Sequence, residues 1–230
     1  MALFYHSTIS EDASSIFLSE EESKHCVRVL RMVNGSLLTL VNGFGASFEV
    51  KITAANPKKC EVEIVSHTHH APPAFPIHIA IAPTKNMDRM EWLVEKATEL
   101  GMTKMSLLRC QFSERKAINL ERLQKIAISA MKQSKRYYLP VIEEQVSFAD
   151  FIKANPVGSI AHCYEAPKKE PITVQQIGPV LIGPEGDFSL DELALAEGSG
   201  YTSVSLGDYR LRTETAALLA VFHASIAQGI

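Results

Sequence analysis

Short apolar segments alternate with longer amphipathic ones from residue 77 onward, and this alternation limits the possible folds more than any other feature. Each apolar segment has the length of a β-strand, and each amphipathic segment has the spacing of an α-helix. The predicted strands are Ile77–Ala82, Met105–Leu108, Val157–Tyr164, Pro179–Ile182 and Thr202–Leu206, and the predicted helices are Met87–Leu100, 119–134, 189–199 and Thr213–Gln228. This order predicts an α/β fold in which helices cover a parallel sheet.

The first 70 residues carry mostly β-strand signals and one helix signal. Ser19 followed by Glu22 is a capping-box pattern, which predicts a helix over about 20–32. Asn42-Gly43 is a hairpin-type turn. The predicted strands are 36–41, 47–53 and 60–66.

The segment 67–76 predicts a boundary between two domains. It contains three prolines, which prevent regular structure and stiffen the chain. Its three histidines could bind a metal, but an exposed linker is the favoured interpretation because no acidic or thiol partner lies at ligand spacing. We therefore predict one domain over 1–71 and a second over 72–230.

The composition is that of an ordinary globular protein, with 46% apolar and 21% charged residues. No apolar run reaches membrane-spanning length, and the four cysteines form no C-x-x-C pair, so we expect reduced thiols in the cytoplasm, no membrane and no metal. The net charge is −3, but residues 85–136 hold 12 basic and 6 acidic side chains. Such a block could face a polyanion, although charge alone favours solvated helix faces.

Two loops near the C-terminus carry the clearest functional signal. Residues 181–189 and 206–217 each run from a strand through a glycine-containing loop into a helix start. Gly183 and Gly186 allow positive φ and close approach of a ligand to the backbone. The carboxyl ends of parallel strands are where α/β proteins bind ligands, and neither loop is a Walker loop. Spacing alone therefore predicts a small nucleoside-containing ligand that is not a triphosphate.

The chain resembles the small-subunit ribosomal RNA uridine-N3 methyltransferase family (methyltransferase E) of the SPOUT superfamily. Both loops carry its motifs, and further matches occur in the family's order over nearly the whole chain. These matches are His25-x-x-Arg28-Val29-Leu30-Arg31, the helix from Lys85 to Gly101, Ser113-Glu114-Arg115, and Gln133-Ser134-x-Arg136.

The resemblance implies a specific fold and activity. The N-terminal part is expected to be a PUA-like β-barrel that binds RNA, and the C-terminal part a SPOUT domain with a trefoil knot that holds S-adenosylmethionine. The enzyme is expected to be a homodimer that methylates N3 of a uridine in the decoding region of 16S rRNA, in the small ribosomal subunit. A non-catalytic RNA-binding or ribosome-assembly protein on the same fold, or a tRNA methyltransferase, are the alternatives.

The resemblance also implies site residues. Arg212 is expected to stabilise the N3 anion or to hold the nucleotide, and Glu214 to accept the proton or to orient Arg212, unless Glu214 only stabilises its helix. The expected RNA contacts are His25, Arg28, Arg31, Lys85, Arg115, Lys135 and Arg136. The first three lie at i, i+3 and i+6, roughly one face of the predicted helix, and Val27 and Leu30 on another face are expected to pack on the barrel. The expected cofactor contacts are Leu181, Ile182, Gly183, Pro184, Glu185, Gly186, Ser205, Leu206, Gly207, Leu211, Thr213, Thr215 and Ala216.

Three positions differ from the family pattern. Asp187 stands where the family usually has glycine, and Tyr209-Arg210 stands where it usually has arginine followed by isoleucine.

From Thr215 onward the chain has no charged side chain apart from histidine. A helix that is apolar all round is expected to be buried on more than one side, in the domain centre or at a subunit interface.

Overall fold

The computed structural model describes residues 3–114, 118–165 and 178–226. The chain divides into two compact units. The first comprises the residues up to Pro73 together with Met131–Leu139, and the second comprises Ala74–Ala130 and the residues from Pro140 onward. The segment Met131–Leu139, which the sequence predicts in the second domain, therefore packs with the first unit.

The first unit is built on a five-stranded sheet with the strand order β1-β3-β4-β5-β2. Only the β1–β3 pair is parallel, and the other pairs are antiparallel. Phe4, Leu40 and Phe48 lie fully buried in its core. The strands are β1 (Leu3–Tyr5), β2 (Ser15–Phe17), β3 (Leu37–Val41), β4 (Ala46–Ala54) and β5 (Glu61–His69).

Strand β5 extends into the segment predicted as a linker. Its residues through His69 pair with β4, since Ala46 lies opposite His69 in the antiparallel ladder. The prediction that the linker begins at residue 67 was wrong because β4 is long enough to continue the ladder past the last apolar residue of β5. The prolines lie beyond this strand, at 72, 73 and 76.

The predicted helix over 20–32 is shorter and changes type. Helix α1 spans Glu20–Lys24, with the Ser19 hydroxyl accepting the Glu22 N–H at 3.2 Å, and a π-helical turn follows at His25–Val29. The α-helical spacing that predicts a shared face for His25, Arg28 and Arg31 is thus absent, and Arg31 has a left-handed φ of +54°. Leu30, which the sequence predicts to pack on the barrel, is 41% exposed.

The second unit is an α/β layer structure around a six-stranded parallel sheet, in the order β11-β9-β10-β6-β7-β8. The predicted α/β class is confirmed. The sequence missed β8 and α4. The strands are β6 (His78–Ile81), β7 (Lys104–Arg109), β8 (Val141–Ser147), β9 (Gly158–Ala161), β10 (Val180–Ile182) and β11 (Tyr201–Val204), and the helices are α2 (Met87–Glu99), α3 (Leu120–Gln133), α4 (Phe148–Ala154), α5 (Leu190–Gly198) and α6 (Thr213–Ile226).

Helix α6 packs against α2 and against strands β6 and β10. Ala217, Ala220 and Val221 are buried, whereas Phe222 and Ile226 are exposed. The helix is therefore covered on one side, and its apolar character continues onto a side that the described part of the chain leaves open. Among the described residues, no helix is long and apolar enough to cross a membrane.

Candidate active site

A cavity of about 610 Å³ lies at the carboxyl ends of β9, β10 and β11 and at the start of α6. These strands are neighbours in the sheet, so the loops that follow them meet at one edge. The cavity is lined by Arg89, Ala161, His162, Cys163, Ile182, Gly183, Pro184, Glu185, Asp187, Val204, Ser205, Leu206, Gly207, Asp208, Tyr209, Arg210, Leu211, Arg212, Thr213, Glu214 and Ala216.

The glycines of the first loop are needed for space rather than for backbone freedom. The left-handed residue of this loop is Asp187, with φ of +68°, and Gly183 and Gly186 are not in that region. A Cβ at Gly183 would lie 3.2 Å from the Phe188 ring, and one at Gly186 would lie 3.1 Å from the Phe112 Cβ. The prediction of positive φ at these glycines was wrong, because Asp187 takes the turn's left-handed position.

The side chain of Asp187 joins two of the loops around the cavity. One carboxylate oxygen accepts the N–H of Cys163, after β9, and the other accepts the N–H of Phe188, each at 2.8 Å. The Asp187 N–H in turn donates to the Pro184 carbonyl at 2.9 Å. The negative charge that the sequence places beside this loop is therefore held by two backbone donors.

The helix that follows the first loop begins as predicted. The Ser189 hydroxyl accepts the Glu192 N–H at 3.2 Å, and the Glu192 carboxylate accepts the Ser189 N–H at 2.9 Å. These two bonds complete the predicted capping box of α5.

The second loop is attached to the first by a buried hydrogen bond. The Thr213 hydroxyl, in the first turn of α6, donates to the Gly183 carbonyl at 3.1 Å. Gly207 has φ of +120°, and its N–H donates to the Ser205 hydroxyl at 3.3 Å. The wall formed by this loop thus has defined contacts at both of its ends.

Glu214 is a buried carboxylate in the cavity wall. It is only 7% exposed, and its Oε1 lies 3.5 Å from Nε of Arg89 on α2. Its Oε2 is buried and has no hydrogen-bond partner among the residues that the structure describes. A buried carboxylate oxygen without a donor is unfavourable, so a donor supplied by a ligand would stabilise it. Its basic partner is Arg89, which the sequence did not single out, whereas Arg212 is exposed.

A chain of hydrogen-bonded polar side chains leads from the cavity lining at His162 through the buried Ser203 to the exposed Glu197. His162 Nε2 lies 2.9 Å from the Ser203 hydroxyl, which donates to a Glu197 oxygen at 2.9 Å. Since the carboxylate only accepts, the single Ser203 proton is used there, and His162 must donate from Nε2. The sequence signal that could have identified these hydrogen-bonded residues is a polar residue near the end of an otherwise apolar strand.

Most of the predicted cofactor residues line the cavity, but three do not. Leu181 is buried within β10, and Gly186 and Thr215 are exposed. The Glu185 carboxylate lies at the rim, where it accepts the Lys85 backbone N–H at 3.1 Å.

Those predicted RNA-binding residues that the structure describes lie outside the cavity lining. Lys85 belongs to the second unit, and its ammonium forms an ion pair with Glu114 at 2.9 Å. Arg115 lies outside the described residues. The remaining five belong to the first unit: His25, Arg28, Arg31, Lys135 and Arg136.

Known families match both parts of the chain. The family described as "RNA methyltransferase domain" matches residues 71–225, and the one described as "RNA methyltransferase PUA domain" matches residues 18–65. A protein named Ribosomal RNA small subunit methyltransferase E from Rickettsia conorii is 30% identical over 229 residues, which cover 95% of this chain and 92% of that protein. The chain belongs to the ribosomal RNA small subunit methyltransferase E family.

Solved structures support the assignment of this chain to the methyltransferase E family. A probable rRNA-methyltransferase from Porphyromonas gingivalis has a TM-score of 0.89 and 40% identity, covering 100% of this chain and 99% of that one. The structure of a putative methyltransferase from Legionella pneumophila, in complex with the bound cofactor SAM, has a TM-score of 0.85 and 30% identity. The match covers 99% of this chain and 97% of that one. The PUA-like domain implied by the sequence motifs is confirmed by the family match, and the SPOUT-type classification and the trefoil knot stay predictions.

Proposed function

We propose that this protein uses S-adenosylmethionine to methylate N3 of a uridine in the decoding region of 16S rRNA. The observation that carries the proposal is the cavity built by the two motif loops, with the buried Glu214 carboxylate in its wall. The related Legionella structure contains the same cofactor. A cavity of about 610 Å³ is within the range for small-molecule sites.

The residues present fit this cofactor. Backbone groups of Gly183, Leu206 and Gly207 would hold its polar parts, and the side chains of Ile182 and Leu211 would contact its apolar surface. When bound, S-adenosylmethionine supplies a methyl group on a sulfonium whose sulfur leaves with the bonding electron pair. We assign the binding to Ile182, Gly183, Pro184, Glu185, Ser205, Leu206, Gly207, Leu211, Thr213 and Ala216, with Leu181, Gly186 and Thr215 supporting the loops and the helix start.

Glu214 is the proposed proton acceptor. Uridine N3 carries a proton. This proton must leave before the lone pair of the nitrogen can form a bond to the methyl carbon. The Glu214 oxygen that has no described partner is suited to receive it, because Arg89 holds only the other oxygen. Glu214 also lies in the first turn of α6, where a negative charge stabilises the helix. The two roles predict effects of different size on the reaction rate and on stability, so a substitution of Glu214 can distinguish them.

Arg212 is the proposed cation for the substrate. It is exposed at the cavity, one residue before α6 begins. A guanidinium there can stabilise the negative charge on the uracil ring or bind a phosphate of the target nucleotide. Holding the base in place would give the largest contribution to the rate, because it converts a bimolecular step into a local one.

The test compares charge-removing variants by rRNA nucleoside mass spectrometry and by calorimetry with S-adenosylmethionine. Glu214→Gln should lower kcat by about 10²–10⁴-fold if Glu214 accepts the proton, whereas a helix-stabilising role would change only stability, by about 0.3–1 kcal/mol. Arg212→Ala should abolish turnover and leave cofactor binding intact. Lys153→Ala, an exposed cation on α4, is the control.

Three outcomes would contradict the proposal or part of it. Near-normal methylation by Arg212→Ala would remove the role given to that residue. Failure of the wild-type protein to bind S-adenosylmethionine would favour the non-catalytic RNA-binding alternative, and methylation of tRNA alone would favour the tRNA enzyme.

We further propose that the first unit binds the rRNA and that the active enzyme is a cytoplasmic homodimer. Basic side chains of the first unit would contact phosphates, so RNA affinity should fall steeply as salt rises. The exposed apolar residues Phe222 and Ile226 on α6 support a subunit interface. A monomeric mass at micromolar concentration would contradict the dimer. The proposed contacts in the first unit are His25, Arg28, Arg31, Lys135 and Arg136, and the further proposed contacts are Lys85, which belongs to the second unit, and Arg115.

A further inference from the structure

Tyr209 is an exposed aromatic residue in the wall of the cavity. The residue belongs to the lining, yet it is 88% exposed. Single exposed apolar residues are common on protein surfaces and need no explanation. Tyr209 differs from them because it lies at the opening of a concave site, where an entering ligand must pass.

The loop that carries Tyr209 is anchored at both ends. At its start, the Ser205 hydroxyl accepts the Gly207 N–H at 3.3 Å and donates to the Gly207 carbonyl at 3.2 Å. At its end, Thr213 is bonded to the Gly183 carbonyl at 3.1 Å. An aromatic ring on such a loop has few rotatable bonds to immobilise, so it loses little conformational entropy on binding.

The residues beside Tyr209 complement a nucleic acid. Arg210 and Arg212 are both exposed and line the same cavity, and Asp208 is the single acidic residue of the loop between Ser205 and Arg212. Aromatic rings beside cationic side chains hold unpaired nucleotides, since the ring stacks on the base while the cations contact phosphates. The loop presents both groups on one wall.

We propose that Tyr209 stacks on an unpaired nucleobase of the RNA substrate at the cavity opening. The inference rests on the proposed function, and it names the part of the substrate that this loop recognises. N3 of uracil takes part in base pairing, so the target base must be unstacked and unpaired before it can react. A tyrosine ring at the opening restores part of the stacking that the RNA loses.

The test measures RNA affinity separately from cofactor affinity. The probe is a fluorescent single-stranded RNA of the 16S decoding region, titrated by anisotropy in the presence of S-adenosylhomocysteine. Tyr209→Ala should weaken RNA binding by about 5- to 150-fold, the range that loss of one stacked base gives. Tyr209→Phe should keep wild-type affinity, because it keeps the ring. Calorimetry with S-adenosylmethionine should give the same Kd for all three proteins.

Phe75→Ala is the matched control, because Phe75 is 51% exposed in the same unit and lies outside the cavity lining. Wild-type RNA affinity in Tyr209→Ala would overturn the inference. So would an equal loss in Tyr209→Phe, which would assign the effect to the hydroxyl, or a parallel loss of S-adenosylmethionine affinity, which would place the ring on the cofactor. If the wild-type protein methylates no RNA, the proposed function fails, but the RNA affinities still decide the role of Tyr209.

Discussion

Asp187 combines a left-handed backbone with two hydrogen bonds, and its substitutions separate these contributions. Its φ is +68°, and its carboxylate accepts two backbone N–H groups at 2.8 Å. A hydrogen bond to a charged group contributes about 1.5–3 kcal/mol, and partial exposure favours the lower value, so the pair contributes about 3 kcal/mol. A side chain other than that of glycine, aspartate or asparagine costs about 1–2 kcal/mol in this backbone region.

The three informative substitutions should therefore rank in a defined order. Asp187→Ala loses both bonds and adds the cost of an alanine at positive φ, so its free energy of unfolding should fall by about 4–5 kcal/mol. Asp187→Gly loses the same bonds without that strain, so the loss should be about 3 kcal/mol. Asp187→Asn keeps one acceptor oxygen and should lose about 1–2 kcal/mol.

Urea unfolding followed by circular dichroism measures these differences, provided that the m-value is unchanged. An alanine variant as stable as wild type would refute the role of the two hydrogen bonds. A glycine variant less stable than the alanine variant would refute the backbone argument. Asp191→Ala, on the exposed first turn of α5, is a control for removing one carboxylate from this region.

Thr213→Val should lower the free energy of unfolding by about 1–3 kcal/mol, because the buried Gly183 carbonyl loses its donor; an unchanged urea midpoint would contradict this. Ser189→Ala should lower it by about 1 kcal/mol through loss of the capping box, and Ser189→Thr, which keeps the hydroxyl, should retain most of it. Burial lowers the pKa of His78 from 6.5 to about 4. Between these values the unfolded state binds more protons, so this contribution is complete above pH 6.5 and is lost as the pH falls towards 4. The stability difference between wild type and His78→Gln should therefore change by about 2 kcal/mol over this range, after allowance for partial exposure. A constant difference in urea unfolding free energy would contradict the assignment.

Most elements of the second unit were predictable because each of these elements has a local signal. The apolar run 179–182 and the capping box at Ser189 define β10 and the start of α5 without reference to any distant residue. Strand β8 was missed because it lies at the sheet edge, where polar residues such as Glu143 and Glu144 are tolerated and no apolar run is required.

Local signals were insufficient where the backbone leaves its regular geometry. The π-helical turn at His25–Val29 has no sequence signature that separates it from an α-helix, so the helix was predicted too long and Leu30 was placed in the core. At the first loop, the sequence correctly identified Gly183 and Gly186 as special, but the reason is contact with neighbouring rings.

The sequence by itself determined the class of fold, the positions of the two loops and the family motifs, because periodicity, capping and turn chemistry act over a few residues. Tertiary structure alone decided that Glu214 pairs with Arg89 and that Asp187 holds the Cys163 N–H. These contacts join residues far apart in the chain, and they exist because strands β9, β10 and β11 are neighbours in an order that differs from their order in the sequence. No local rule specifies that order, which follows from packing the whole sheet and its helices.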